Sequence, residues 1–540
     1  MNRANLLLIS QPASRFLAVA AVLLAGLCAS AQNVQHLSTN LPGGMPGLPV
    51  ITGVTLVTNG VKVTWDGPAG YYQLFAKRSN DPVWVAVTRP TDLLRTATLP
   101  ARYSNALFRV SGPSPTYAGS QTCTECHAPV LNTVLHTRHA AAFTNARFAA
   151  DGGQTNSSCV DCHTVGAGLP TGFVNKTKTP LLAGVECENC HGPAANHAAN
   201  PDDPLVRPRA EVAATVCGGC HTDARHPTYD EWETSGHAQA VVDNLNVPSQ
   251  ISACGRCHSG SVRLSLLETN PLPAGDADVP IVCVACHDPH QTNAYPAQLR
   301  NPVASTNDYF MPMKGAFASY YRPKINVCAQ CHNHAGASWT NSASAPHPSL
   351  QYNMLLGTIG ELESGLPSHQ PGSHALLITN QCVGCHMQTT AFVSQAQPAN
   401  TGHSFTVDKY DICLNCHVSV EPIDFLVAFV TGAVSNRIQQ VVFDLDYWAA
   451  HSTNSTNRVV ASLWAKYGNR AWEYTTPGGL SPGGPGPDAT EQTQIPVNIR
   501  KARFNLYVVQ NDGSFGVHNP EYVAELVSQA EAFIEAELDQ

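Results

Sequence analysis

Charge is scarce in this chain. Asp, Glu, Lys and Arg make up 13% of its 540 residues, and acids outnumber bases 39 to 30. With a formal charge of −9, no basic surface is implied, which argues against a nucleic-acid partner. Methionine is scarcer still, at six residues. An iron centre needing a second strong ligand must therefore draw mainly on nitrogen. Beyond the N-terminus no run reaches the roughly 18 apolar residues of a membrane-spanning helix, so no transmembrane segment is expected.

Cysteine and histidine are plentiful, and their arrangement organises the chain. Cys-x-x-Cys-His occurs nine times, using eighteen of the nineteen cysteines. The copies are Cys123/Cys126/His127, Cys159/Cys162/His163, Cys187/Cys190/His191, Cys217/Cys220/His221, Cys254/Cys257/His258, Cys283/Cys286/His287, Cys328/Cys331/His332, Cys382/Cys385/His386 and Cys413/Cys416/His417. The pattern reads as c-type haem attachment: two thiols form thioethers to one haem, and the following histidine supplies an axial nitrogen to its iron. Zinc sites, redox disulfides and structural pairs also use Cys-x-x-Cys. None of them needs a histidine directly after the second cysteine nine times out of nine. The expected cofactors are nine covalently bound haems c.

The N-terminus reads as an export signal. Arg3 and Arg15 flank a positive region, Phe16 to Leu27 is apolar but short, and Ala29-Ser30-Ala31 fits a cleavage site before Gln32. Cys28, the odd cysteine, falls inside the removed segment; a lipid anchor on it is the alternative, against which stands the bulky Leu27. Export to the periplasm or the cell exterior agrees with the haem reading, because c-type haem is attached outside the bacterial cytoplasm. The expected organisation is a signal peptide over 1–31, a Pro/Gly-containing linker over 32–49, and a small β domain over 50–112. The runs VITGVTLVT, VKVTW, YYQLFAKR, WVAVT and ALFRV predict its strands, each with one polar face, and Asn59-Gly60 predicts a hairpin turn. It loosely resembles a fibronectin type III sandwich, as a spacer or docking module.

From 113 to 417 the motifs recur every 28 residues (Cys159 to Cys187) to 54 residues (Cys328 to Cys382). That is too little chain for nine independent protein cores, so the haems themselves must form the core and lie close together. Regular structure should be sparse, with short helices carrying many motifs. A four-haem module over 113–253 and a five-haem module over 254–417 are expected. From 418 to 540 the pattern turns helical: Ile438, Val441, Val442, Leu445 and Trp448 share one face, as do Val523, Leu526, Val527, Ala530 and Phe533. The fold class expected is a mainly α multihaem cytochrome c with an N-terminal β-sandwich-like domain and a helical C-terminal region. That last region reads as a packing or dimerisation scaffold.

Nine of the 23 histidines belong to motifs, leaving 14. With methionine scarce, two histidines per iron are expected at most sites, and that ligation generally gives a lower potential than His/Met. The favoured second ligands are His139, His197, His237, His290, His374, His403 and His518. His226, His334 and His347 come next; His36, His136, His369 and His451 are read as unrelated to the haems.

These settings resemble the multihaem cytochrome c superfamily that includes hydroxylamine oxidoreductase, the octahaem reductases and ammonia-forming cytochrome c nitrite reductase. CTECHAPV, TRHA and CENCHGPAANH are similar to tetrahaem members. From Cys254 onward the chain looks like the five-haem reductase core: CAQCH at 328–332, Ala345-Pro346-His347-Pro348, Gly372-Ser373-His374, Thr401-Gly402-His403 and the closing KARFNLYVVQNDGSFGVHNP keep that order. The likeness covers about residues 117–540. It implies His518 as a distal ligand, His347 as the counterpart of an active-site histidine, and a dimer or trimer through the C-terminal helices. It also exposes departures. His258 stands where the nitrite reductases often have lysine, as it does in octahaem relatives. Asn333, His334, Ala335 and Gly336 follow His332 where the family has Glu-Tyr residues, so the acidic calcium ligand and the catalytic tyrosine are missing. No catalytic arginine is assigned, although Arg256 and Arg263 are near in sequence.

Two functions stay open. One is electron transfer through closely packed, mostly bis-histidine haems, between redox donor and acceptor proteins or a quinol-linked membrane complex. The other is reduction or oxidation of a small nitrogen or sulfur species such as nitrite or hydroxylamine. That requires an open haem, for which His258's is the candidate, with His347, and after it His334 or His237, supplying protons or charge. An extracellular haem filament is a third reading. Replacing one motif histidine tests the shared premise. His127→Ala should raise that haem's potential and open a ligand site, and an unchanged low-spin spectrum would count against the assignment.

Overall fold

The computed structural model describes residues 50–538 apart from short interruptions, the longest being 301–326. The expected signal peptide and linker lie outside the described residues, as do His36 and His369. The chain divides into two compact units, Met1–Cys220 with Pro289–Thr292, and His221–Asp288 with Asn293–Gln540.

The first unit opens with β1 Val50–Val57, β2 Gly60–Asp66, β3 Leu74–Lys77, β4 Val85–Ala86, β5 Thr96–Pro100 and β6 Leu107–Val110. These build two antiparallel three-stranded sheets, β1-β2-β5 and β4-β3-β6. Alternation explains β2: Val61, Val63 and Trp65 are buried while Lys62 and Asp66 face solvent. With Tyr72, Leu74, Ala76, Leu99 and Phe108 they form a separate small core. The expected polar face fails on β3, where Leu74, Phe75 and Ala76 are all buried and Arg109 covers the Phe75 ring at 5.4 Å. β5 was not expected. Its TATLP run offers one buried apolar side chain, Leu99, and the strand exists because it pairs with β2 from Thr64↔Thr96 to Gly60↔Pro100. A Cβ on Gly60 would meet the Leu99 carbonyl oxygen at 1.9 Å, so only glycine fits there.

Short helices follow: α1 Thr124–Val134, interrupted at His127, α2 Ser157–His163, α3 Cys187–His191 and α4 Ala214–Gly218. A buried carboxylate ties two of them together. Glu188, between the cysteines of the third motif, accepts from the N–H groups of Ala118 (3.0 Å), Gly119 (2.8 Å) and Ala194 (2.7 Å). It thus anchors the approach to the first motif against the third. The β domain touches the same place, since a Cβ on Gly192, whose φ is +85°, would lie 3.0 Å from Gln73 Nε2.

In the second unit the motif-bearing part is again made of short pieces: α5 Thr228–Thr234, α6 Gly255–His258, α7 Gly260–Leu267, α8 Gln351–Leu355, α9 Ser373–Leu377 and α10 Cys382–His386. Long helices come afterwards: α11 Ile423–His451, α12 Arg458–Tyr467, α13 Val497–Asp512 and α14 Pro520–Leu538. Their core contains the expected Ile438, Val441, Leu445 and Trp448 of α11 and Val523, Leu526, Val527, Ala530 and Phe533 of α14. Buried Arg503 of α13 donates to the carbonyls of Trp472 (2.8 Å) and Glu473 (2.7 Å) and to Gln492 Oε1 (2.9 Å). Its charge is satisfied, as a buried guanidinium requires.

One expectation needs amending. α11 is long and apolar enough to cross a membrane by length and composition alone. The sequence hides this because Thr431, Gly432, Ser435 and Asn436 break up the apolar runs. One face of the helix packs in the core, and Arg437 pairs with Glu531 of α14 at 2.7 Å. The other face exposes Phe425, Phe429 and Phe443.

Glu188 supplies this subsection's test. Glu188→Ala strands three buried N–H donors and should lower stability of the first unit by about 3 kcal/mol or more. The first thermal transition should drop, whereas Glu125→Ala, at an exposed position in α1, should leave it unchanged.

Candidate haem-binding sites

Each motif is one tight turn. In the fifth, sixth, seventh and ninth copies the first cysteine's carbonyl accepts from the N–H of the histidine, at 3.0, 2.9, 2.9 and 2.8 Å, and from that of the second cysteine. The second, third and eighth motifs lie in α2, α3 and α10. Such a turn sets residues i, i+3 and i+4 on one side, so two sulfurs and one imidazole face the same space. Among the described residues no three His, Cys, Asp or Glu side chains converge as a metal cage would need. None of the described cysteines is joined in a disulfide. The zinc and disulfide alternatives therefore find no support in the geometry.

Four of the assigned sulfurs need a correction. If the haems form the core, the thiols that hold them should be enclosed. Cys126 and Cys416, the second cysteines of the first and ninth motifs, are instead exposed. Cys162 and Cys190, the second cysteines of the second and third motifs, are only half-buried. The reason is the short chain length per motif. A turn closed on its own backbone has few flanking residues with which to cover its second sulfur. For Cys126, Cys162, Cys190 and Cys416, haem attachment therefore rests on motif spacing and not on an enclosing protein pocket.

What converges instead are imidazoles in twos. Six motif histidines each face a histidine from elsewhere. Ring centroids are 5.9 Å apart for His191 and His290, 6.1 Å for His332 and His237, and 5.8 Å for His258 and His347. They are 6.3 Å apart for His287 and His403, 6.4 Å for His417 and His374, and 6.3 Å for His386 and His518. A metal–imidazole bond is about 2.0 Å and the ring centre lies about 1.1 Å behind the nitrogen, so two rings on one metal sit about 6 Å apart. The residues present fit a group whose iron takes a histidine on each face.

The other ring nitrogen fixes each imidazole. Nδ1 of His287 faces Ala297 O at 2.7 Å, that of His386 faces Phe405 O at 3.0 Å, and that of His374 faces Val517 O at 2.7 Å. A carbonyl only accepts, so the proton is on Nδ1 and the lone pair is on Nε2, the tautomer a metal needs. His332 Nδ1 reaches Gln351 Oε1 at 3.1 Å. For His347 the acceptor is Ser349 Oγ at 3.0 Å, whose own proton goes to Asn333 O at 2.6 Å. Thr401 Oγ1 plays the same part for His403 at 3.0 Å while donating to Glu231 Oε2 at 2.6 Å. His518 differs: its Nδ1 meets the Asp512 carboxylate at 2.8 Å.

Burial keeps most of these rings neutral. It pushes His237 down to about 4, with the nearby His332 and His403 adding to the effect. His347 and His403 are lowered by burial first and then by His258 and His287 respectively. His518 goes the other way, because Asp512 outweighs the lowering by burial.

The remaining histidines sort by surroundings. His197 is lowered by burial and then by nearby His127, which places it beside the first motif; His139 is lowered by burial. His163 stacks on Phe148 at 4.0 Å, with Nδ1 on Ala142 O. His334 accepts the Gly336 N–H on Nδ1 at 3.1 Å, so its Nε2 carries the proton, and His226 lies 3.9 Å from Asp223. His136 and His451 bond the carbonyls four residues earlier. Buried Arg263 bonds the Gln330 side chain and Ala285 O.

Sequence reasoning missed the residues that clamp the ligands. Glu231 accepts from Thr401 N (2.8 Å) and His403 N (2.8 Å) as well as from Thr401 Oγ1, holding the His403 turn. Phe405, at φ +58°, lends its carbonyl to His386 while its ring packs on His237 at 4.3 Å and His403 at 5.7 Å. Neither has a sequence signature. Motifs also touch one another. Cys257 Sγ faces Gln330 O at 3.8 Å and Cys331 Sγ faces Arg256 O at 3.9 Å, a reciprocal contact of the fifth and seventh motifs. Thiols of Cys123 and Cys187, and of Cys328 and Cys382, also hydrogen-bond.

The family model for cytochrome c554 and c-prime matches residues 122–192. Multiheme cytochrome MtrA of Shewanella baltica is 25% identical over 298 residues, 49% of this chain and 77% of that protein. The C-type polyheme cytochrome OmcB of Geobacter sulfurreducens is 24% identical over 48% of this chain, but the match spans only 35% of OmcB. The crystal structure of the outer cell wall cytochrome OcwA superposes with a TM-score of 0.50 at 18% identity, covering 77% of this chain and 99% of that one. That last likeness concerns the fold alone.

Glu231→Ala removes the clamp on the His403 turn. We expect the ferrous protein to gain carbon monoxide binding at one centre, seen as a difference spectrum. No gain would argue against His403 as an iron ligand.

Proposed function

We propose that this chain, which belongs to the multihaem cytochrome c superfamily, is an exported nine-haem protein whose work is electron transfer. The observation that carries the reading is the recurrence of motif imidazoles facing a second imidazole about 6 Å away, six times among the described residues. Bound haem c supplies one-electron exchange between ferric and ferrous iron.

The chain's own residues bind, orient and shield. Cysteine pairs at i and i+3 offer both sulfurs to one face, and the next histidine offers its Nε2. His290, His237, His347, His403, His374 and His518 are assigned as the second ligands opposite His191, His332, His258, His287, His417 and His386. His197 is assigned to His127 on its proximity, and His139 keeps its place as a ligand candidate. Their Nδ1 acceptors hold each ring against rotation. Contacts between the first and third, fifth and seventh, and seventh and eighth motifs keep neighbouring attachment points close, which rapid electron exchange requires.

The reductase reading turns on His258. It needs that motif's second face open, with His347 free to deliver a proton. His347 instead points at His258 with Nδ1 already committed to Ser349, so its Nε2 offers a lone pair. That supports a closed, six-coordinate centre and favours electron transfer. The redox partners are taken to be donor and acceptor proteins or a quinol-linked membrane complex, and the location the periplasm or cell exterior.

Two measurements test this. The mass of the matured protein should exceed its polypeptide by nine haems. Its ferric spectrum should be low-spin throughout and unmoved by nitrite or cyanide. A high-spin component that shifts on either addition would reinstate the enzyme.

A further inference from the structure

Seven histidines of the second unit's pairs have a defined Nδ1 partner, and six of those partners are neutral. They are the carbonyls of Ala297, Phe405 and Val517, the amide of Gln351 and the hydroxyls of Ser349 and Thr401. The seventh is the carboxylate of Asp512, 2.8 Å from His518 Nδ1. Asp512 is buried at 2% exposure at the end of α13, where Gly513 turns the chain out of the helix at φ +74°. The turn is built around the carboxylate. Oδ2 accepts from the Ser514 hydroxyl and from Ser514 N at 3.3 Å, and Ser514 Oγ accepts from His518 N at 3.1 Å.

We propose that Asp512 is a tuning residue that lowers the reduction potential of the centre between His386 and His518 and sets it apart from its neighbours. This rests on the ligand assignment above. The physical reason has two parts. A carboxylate pulls on the Nδ1 proton, which leaves more electron density on Nε2 and makes the imidazole a stronger donor to ferric than to ferrous iron. A buried negative charge also opposes the arrival of an electron, and burial weakens the screening that would otherwise erase this. Both act in one direction. The seventh and eighth motifs touch through Cys328 and Cys382. A depressed centre at the eighth therefore makes the relay uneven at that step, and electrons rest preferentially on its neighbour.

The same turn reaches two further pairs. Val517 O holds His374, and Asp512 O accepts from Gln351 Nε2 at 3.1 Å while Gln351 Oε1 holds His332. Those contacts go through neutral groups, so the charge acts selectively on the His518 centre.

The test uses the full, haem-loaded protein in a potentiometric titration followed by optical and electron paramagnetic resonance spectra. Asp512→Asn keeps the shape and offers a neutral acceptor, so one component should move to higher potential and the others should stay. Ser514→Ala removes a donor to the carboxylate, making it a stronger acceptor, so the same component should move the opposite way. A general loosening of the turn would not give shifts of opposite sign. If neither variant moves a component, or both move it alike, Asp512 does not tune the centre. His518→Met serves as the separate control. An unaltered set of low-spin signals in that variant would overturn the ligand assignment itself and the tuning with it, whereas an altered signal leaves the Asp512 result to decide.

Discussion

An imidazole has two nitrogens, and this structure depends on both being used. One end is held by a carbonyl, hydroxyl, amide or carboxylate; the other is left facing a second ring across a gap of about 6 Å. The gap is the size of a metal bound on both sides. Ordinary aromatic packing gives similar separations. It does not explain why all six pairs join a motif histidine to a histidine from elsewhere. The short helices and tight turns of the motif regions follow from this. Their task is to aim nitrogens, and the apolar mass that normally stabilises a fold is supplied there by the prosthetic group. Large conventional cores occur where motifs are absent, in the β domain around Val61, Trp65 and Tyr72 and in the C-terminal helices around Trp448, Trp472 and Tyr507.

Much of this was legible in the sequence, and the reason is covalent. Cys-x-x-Cys-His is local, so its chemistry is complete within five residues. How deeply each sulfur sits is not local, which is why the exposure of Cys126 and Cys416 could not be read. The apolar faces of α11 and α14 were legible because helical periodicity is also local. So were the spare histidines as a class: His237, His290, His374, His403 and His518 each stand opposite a motif histidine. His347 was ranked below them, yet it stands opposite His258 in the same way.

What could not be read was which ring faces which. His374 precedes the eighth motif in sequence but faces the histidine of the ninth, and His403 precedes the ninth but faces the sixth. Such pairings depend on long-range chain reversals that leave no local pattern. The clamps were invisible for the same reason, since Glu231 and Thr401 are 170 residues apart. The strand Thr96–Pro100 escaped because its place is dictated by β2 rather than by its own weakly apolar residues.

The position of His518 has a consequence for how the molecule is made. It lies near the end of the chain, 132 residues beyond His386 (518 − 386), in the turn that also steadies His374 and, through Gln351, His332. A polypeptide emerging N-terminus first presents every attachment cysteine before it presents this turn. On the ligand assignment above, the eighth centre would be chemically joined to the chain while one side of it still lay bare. Biogenesis would then end with a single late closure that locks three centres together, and the nascent protein would pass through a stage in which small molecules could reach an iron that the finished one conceals.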